Sequence, residues 1–161
     1  MNIKPIGGVY MLLFYLKEAT TMKIGSLGNH TFEEGWYTYF GTAHGGGGVA
    51  SRVGRHSRFL GDSKKSKWQI DWFREHAVLV EVWFAHVPKE FECRWSMFWA
   101  RLGISSVPLK KMGSSDCRCC PAHFYKLKSR PTASALRHGF SNRELGMIQV
   151  CLLYTSPSPR D

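Results

Sequence analysis

Negative charge is scarce in this sequence: 12 aspartates and glutamates stand against 22 lysines and arginines, and the net charge of +10 is spread along the chain from Lys4 to Arg143. A deficit of acid on this scale disfavours a cationic partner and favours a polyanion, foremost a nucleic acid. Long apolar runs are also missing. None approaches the ~20 residues that a membrane-spanning helix needs, so no membrane partner is expected. The apolar stretch near the start runs straight into Lys17 and Glu18 without a small-x-small cleavage pattern, which argues for a strand and against a secretory leader. The five cysteines are odd in number and three crowd into CRCC. That pattern does not make a disulfide framework, and it points to a reducing compartment, the cytoplasm. The phosphate-binding signature of nucleotide-dependent enzymes is absent too. Four glycines, residues 45–48, precede a helix, but the run ends Gly48-Val49-Ala50 where a P-loop needs Gly-Lys-Ser/Thr. These glycines are read as a connector.

What is present is a compact alternation of strand and helix patterns. GVYMLLFYL, residues 8–16, is too short for a typical helix and reads as a buried strand. Residues 22–27 and 37–41 are the next strand candidates, and the three together predict a small antiparallel sheet. A helix is expected over residues 49–59, a short one over 68–75, and a strand over 78–87. Phe91, Trp95, Phe98 and Leu102 then fall at the spacing of an amphipathic helix that begins after Pro88. Residues 123–127 would close the sheet as an edge strand. The order β-β-β-α-α-β-α-β predicts an α+β fold, an α/β sandwich with a mainly antiparallel sheet flanked by about three helices.

One folded domain is expected over residues 1–128, followed by a poorly defined extension over 129–150. The last eleven residues, CLLYTSPSPRD, match the conceptual translation of a transposon-type sequencing adapter and are set aside, or else they form a Ser/Pro-rich tail.

Chemistry-bearing residues recur in order along the body. Gly8-Val9-Tyr10 stands on the first strand, Tyr39-Phe40-Gly41 on a later one, and Arg52-x-x-x-His56 on the first helix. This ordered set resembles the GIY-YIG nuclease superfamily. The resemblance is closer to a branch of unknown function, found alone or attached to archaeal endonuclease III-like proteins. The segments GVY, GWYTYFGTA, RVGRH, WQID, Glu92-Cys93 and SDCRCCPAH carry it. Two departures stand out: Lys67 and Gln69 flank Trp68 where the branch has histidines, and Thr42 replaces a serine.

The resemblance implies a metal-dependent endonuclease that hydrolyses phosphodiester bonds in DNA, in a setting such as DNA repair. Glu92 would hold a divalent cation, Mg²⁺ or Mn²⁺. Tyr10 would act as base or orient the water, with Tyr39 beside it, and Arg52 would bind the scissile phosphate. His56 would orient a phosphate oxygen or relay a proton. Arg55, Arg58, Lys64, Lys65 and Lys67 would follow the DNA or RNA backbone. Each of these residues also has an ordinary structural reading, as half-buried sheet tyrosines, a solvated basic helix face, or a carboxylate favoured at a helix start. The alternative function is a non-catalytic nucleic-acid-binding module of the same fold. A separate feature is the group Cys93, Cys117, Cys119 and His123, which suits either a Zn²⁺ site or simply reduced cysteines, with Cys120 as an insertion. A third class, a cysteine-centred metal or redox protein, follows from that group.

Overall fold

A computed structural model describes residues 3–57, 68–101, 103–113, 120–131 and 149–152. Within them the chain forms β1 (Gly8–Leu16), β2 (Thr20–Lys23), β3 (Asn29–Phe32), β4 (Gly35–Ala43), α1 (Gly48–Ser57), α2 (Gln69–Arg74), β5 (Val78–Ala85), α3 (Phe91–Arg101), β6 (Ser105–Ser106), β7 (Phe124–Leu127) and β8 (Gln149–Leu152). The fold is α+β.

The apolar run of β1 is the middle of the molecule, with every residue buried. A strand covered on both faces has no polar side to display, which explains why its sequence does not alternate. It pairs antiparallel with β4 on one side and β5 on the other. The sheet order is β6-β7-β4-β1-β5-β8, and every pairing is antiparallel. One face carries Tyr10, Leu12, Phe14, Tyr37, Tyr39, Val82 and Phe124 under α1 and α2, which contribute Val49, Val53, Ile70 and Phe73. The other carries Val9, Met11, Leu13, Phe40, Trp83 and Tyr125 under Trp95 and Trp99 of α3. Aromatic rings fill much of the first core, as where Phe73 meets Phe124 edge-on at 4.8 Å between centroids.

Three expectations change. The strand expected at residues 22–27 does not join the main sheet. Instead β2 pairs with β3 in a two-stranded sheet of its own, because the chain turns back through a 3₁₀ turn at Gly25–Leu27 closed by the Ile24 amide on the Gly28 carbonyl at 2.9 Å. The buried stripe of α3 is Trp95, Ser96 and Trp99, whereas Phe91 and Phe98 are only half-buried. Trp99 covers the sheet because it lies one turn beyond Trp95 on the same face. Ser96 is buried beside it because its hydroxyl donates to the Ala122 carbonyl at 2.9 Å and lies 2.7 Å from the Tyr125 hydroxyl. Finally, residues 123–127 do not close the sheet: β7 lies between β6 and β4, and the edge strands among the described residues are β6 and β8, the latter paired with β5 from Glu81↔Leu152 to Phe84↔Gln149.

The stripe can be checked directly. Trp99→Ala should cost about 3–5 kcal/mol in urea unfolding, as removal of a buried ring does, and Phe98→Ala clearly less. A larger loss for Phe98→Ala than for Trp99→Ala would place the helix in the other rotation.

Candidate active site

Tyr10 and Tyr39 come from neighbouring strands and point to one face. The β1–β4 register sets Tyr10 opposite Gly41 and Leu12 opposite Tyr39, so the two tyrosines are diagonal neighbours. Gly41 is needed there because the Tyr10 ring lies across its α-carbon, and an added methyl would collide with the phenol. His56 reaches the same face from α1, where Val49, Val53 and His56 sit at i, i+4 and i+7, each buried to 2 % exposure or less. The Tyr10 hydroxyl and His56 Nε2 share a hydrogen bond of 2.9 Å. The His56 ring stands 6.3 Å from that of Tyr39 and 5.4 Å from that of Trp68, while its Nδ1 is buried with no hydrogen-bond partner among the described residues.

Burial dominates the electrostatics. It pushes both phenols well above the ordinary tyrosine range. Tyr39, Arg52, Glu92 and Arg55 act next on Tyr10, and Glu92, Asp71, Arg52 and Arg55 on Tyr39. The carboxylates raise the phenols and the guanidiniums lower them, so the field of Glu92 and Arg52 reaches both hydroxyls. Burial also depresses His56 to about 3, with Asp71 opposing and Arg55, Arg74 and Arg52 reinforcing the shift. Both phenols are therefore protonated and the imidazole neutral near pH 7.

The two arginines of α1 have different occupations. Arg55 makes a bidentate pair with Asp71 of α2, at 3.0 and 2.7 Å, and lies 3.7 Å over the Trp68 ring. Asp71 has no exposed surface, and its second task is to accept the Trp68 amide at 2.7 Å, which caps the start of α2. The pair leaves Arg55 only its outer N–H groups for the nucleic-acid contact expected of it. Arg52 also stacks on Trp68, at 4.8 Å, but has no ion pair among the described residues. Gln69, which stands where the branch has a histidine, accepts the Gly113 amide at 2.6 Å.

The glycine run is committed to the fold. Gly47 and Gly48 have φ of 82° and 56°, and the amides that open α1 already have partners: Gly48 on the Gly45 carbonyl and Val49 on the Ile6 carbonyl, at 3.2 and 2.9 Å. A side chain on Gly48 would also meet the Ile6 backbone. The run serves as a turn between β4 and α1.

Glu92 and Cys93 lie in the first turn of α3, the helix that packs on the sheet face opposite the tyrosines. Glu92 Oε1 lies 3.6 Å from Nδ1 of His123, a residue 2 % exposed whose two ring nitrogens lack hydrogen-bond partners among the described residues. Burial depresses His123 to about 4, with the Gly113 backbone opposing. Cys93 Sγ, Cys120 Sγ and a His123 nitrogen all lie within 4.8 Å of one another. Arg58, Lys64, Lys65, Lys67, Cys117 and Cys119 lie outside the described residues.

The arrangement therefore brings together Tyr10, Tyr39, Arg52 and His56, while Glu92 stands on the helix that covers the opposite face of the sheet. A profile of the family described as Domain of unknown function DUF123 matches residues 9–144. The chain belongs to this family. The DUF123 match takes in every one of these site residues, and β8 lies past its end. No curated protein and no solved structure matches the chain.

Sequence reading left two members of this DUF123 site without a role: Trp68 is the platform under both arginines, and Cys120 stands with Cys93 and His123. Both lie in segments that carry the family resemblance, WQID and SDCRCCPAH.

Two measurements test these assignments. Arg55→Ala strands the buried Asp71 carboxylate and should cost roughly 3 kcal/mol, the low end for a broken buried pair because Arg55 keeps 27 % of its side chain exposed; Arg52→Ala should leave urea stability nearly unchanged. The second concerns pH. His56 sits at about 3 in the folded chain against an ordinary 6.5, so the unfolded state binds the extra proton between those values. Its contribution to stability is complete above pH 6.5 and is lost as pH falls toward 3. His56→Gln should flatten the pH dependence of the urea midpoint over that window by about one proton, and an unchanged slope would mean that His56 titrates normally.

Proposed function

We propose that this DUF123 domain is a GIY-YIG-type, metal-dependent nuclease acting on DNA. The observation that carries the proposal is the convergence of Tyr10, Tyr39, Arg52 and His56 on one face of a basic domain. Phosphodiester hydrolysis requires a positioned water, an acceptor for its proton and a cation for the developing charge. Arg52, half-buried and without an ion pair among the described residues, suits the phosphate. Tyr10 enters as a phenol and not as a phenolate, since burial holds it protonated. With its proton directed to His56 Nε2, its oxygen lone pairs accept from a water. As that water attacks phosphorus and the P–O bond to the leaving oxygen breaks, the water's proton passes to Tyr10 and the Tyr10 proton to His56 Nε2, and the leaving oxygen takes a proton from solvent. His56, 1 % exposed, is suited to this relay behind Tyr10 and not to touching the phosphate itself.

Glu92 is the carboxylate that would hold the divalent cation. A hard ion such as Mg²⁺ is commonly bound through one or two carboxylates and retained waters, which a half-buried Glu92 accommodates. The ion would supply acidification of a bound water and neutralisation of phosphate charge. DNA repair is a setting consistent with this chemistry.

A second reading, a nucleic-acid-binding module without turnover, draws on one observation: Tyr10 and Tyr39 are 1 % and 8 % exposed. The two readings separate in one assay. Purified protein should nick or cut DNA with Mg²⁺ or Mn²⁺, and Tyr10→Phe, Glu92→Ala and Arg52→Ala should each slow the reaction by at least ~100-fold. Salt-sensitive DNA binding with no metal-dependent cleavage would establish the binding module instead, and cleavage that survives both Tyr10→Phe and Glu92→Ala would overturn the mechanism.

A further inference from the structure

The geometry points to a second metal centre, a zinc site built from Cys93, Cys120 and His123, distinct from the cation at Glu92 that hydrolysis would use and not dependent on that activity. Three soft or borderline donors from separate parts of the chain meet within 4.8 Å of one another: Cys93 near the start of α3, and Cys120 and His123 in the lead into β7. Tetrahedral zinc holds its ligands at ~2.0–2.3 Å and so roughly 3.3–3.8 Å apart, which modest side-chain rotation reaches from here. Thiolate and imidazole donors select zinc over Mg²⁺.

The second observation is His123 itself. It is 2 % exposed, and neither ring nitrogen makes a well-formed hydrogen bond among the described residues, the Glu92 carboxylate and the Gly113 backbone standing near it without closing one. A buried imidazole held so weakly is a costly arrangement that a metal bond relieves. Glu92, 3.6 Å from Nδ1, supplies the kind of carboxylate on which metal-bound histidines lean. Cys120 Sγ makes a long contact, 3.9 Å, to the Cys93 carbonyl, and Cys93 and Cys120 form no disulfide. The backbone fixes the lead-in beforehand: the Phe40 amide donates to the His123 carbonyl at 2.8 Å, the His123 amide to the Met112 carbonyl at 3.0 Å, and the Lys111 amide to the Pro121 carbonyl at 2.7 Å. Binding converts the two thiols to thiolates and releases their protons to solvent. The bound ion would fasten the start of α3 to the strand beside Tyr39, because Gly113 lies against both Tyr39 and His123.

The full chain, purified under reducing conditions, should carry one zinc per molecule by elemental analysis, and chelation should lower its Tm. Cobalt added to the stripped protein should give the thiolate charge-transfer band and the intense visible bands of a tetrahedral site. Cys93→Ser, Cys120→Ser and His123→Asn should each weaken cobalt binding at least tenfold, whereas Cys117→Ser with Cys119→Ser should retain one equivalent. Absence of the charge-transfer band in wild-type protein would overturn the site, a result that needs no variant to fold. Loss of binding in the Cys117/Cys119 double variant with retention in Cys120→Ser would overturn this ligand set. Neither result bears on DNA cleavage, so the two proposals fail separately.

Discussion

The Asp71 carboxylate is the constraint around which the site is arranged. It is fully buried, and a buried anion persists only when its charge and its lone pairs are both answered. Arg55 answers the charge and the Trp68 amide takes a lone pair. This one group ties α1 to α2 and lays the Trp68 ring beneath Arg52, Arg55 and His56. With Arg55 consumed, the site keeps Arg52 as its unpaired cation among the described residues. The arginines look equivalent on a helical wheel, and the counter-ion alone tells them apart.

The sheet supplies the other half. β1 is buried on both faces, so its even-numbered residues serve the core under α1 and α2 while its odd-numbered residues serve the core under α3. Tyr10 belongs to the first set and inherits the rigidity of a strand paired on both edges. Rigid mounting suits the role proposed for Tyr10, and the same burial suppresses phenolate formation. Packing and proton affinity are thus one property here: the environment that fixes Tyr10 also makes His56 a neutral acceptor.

Legibility in the sequence followed local pattern. GVYMLLFYL announced the central strand because a continuous apolar run of that length has few other uses, and the order of Tyr10, Tyr39, Arg52 and His56 marked the site face. The rotation of α3 was misjudged because Phe91, Trp95, Phe98 and Leu102 make as good a stripe as Trp95 with Trp99, and the choice is made by the sheet, not the helix. NHTF gave β3 no apolar signal to read. The Arg55–Asp71 pair joins residues 16 positions apart through space, beyond any periodicity. His56 was the readable case left half-read: Val49, Val53 and His56 form a core stripe, which foretells burial and, for an imidazole, neutrality.

The pairing of β8 with β5 has a consequence for where this domain ends. The ladder from Glu81↔Leu152 to Phe84↔Gln149 is made by main-chain groups, which do not distinguish one side chain from another. The outer edge of β5 is therefore held by extended backbone and not by the identity of the residues at 149–152, so this end of the sheet is defined by main-chain geometry where the centre is defined by apolar side chains.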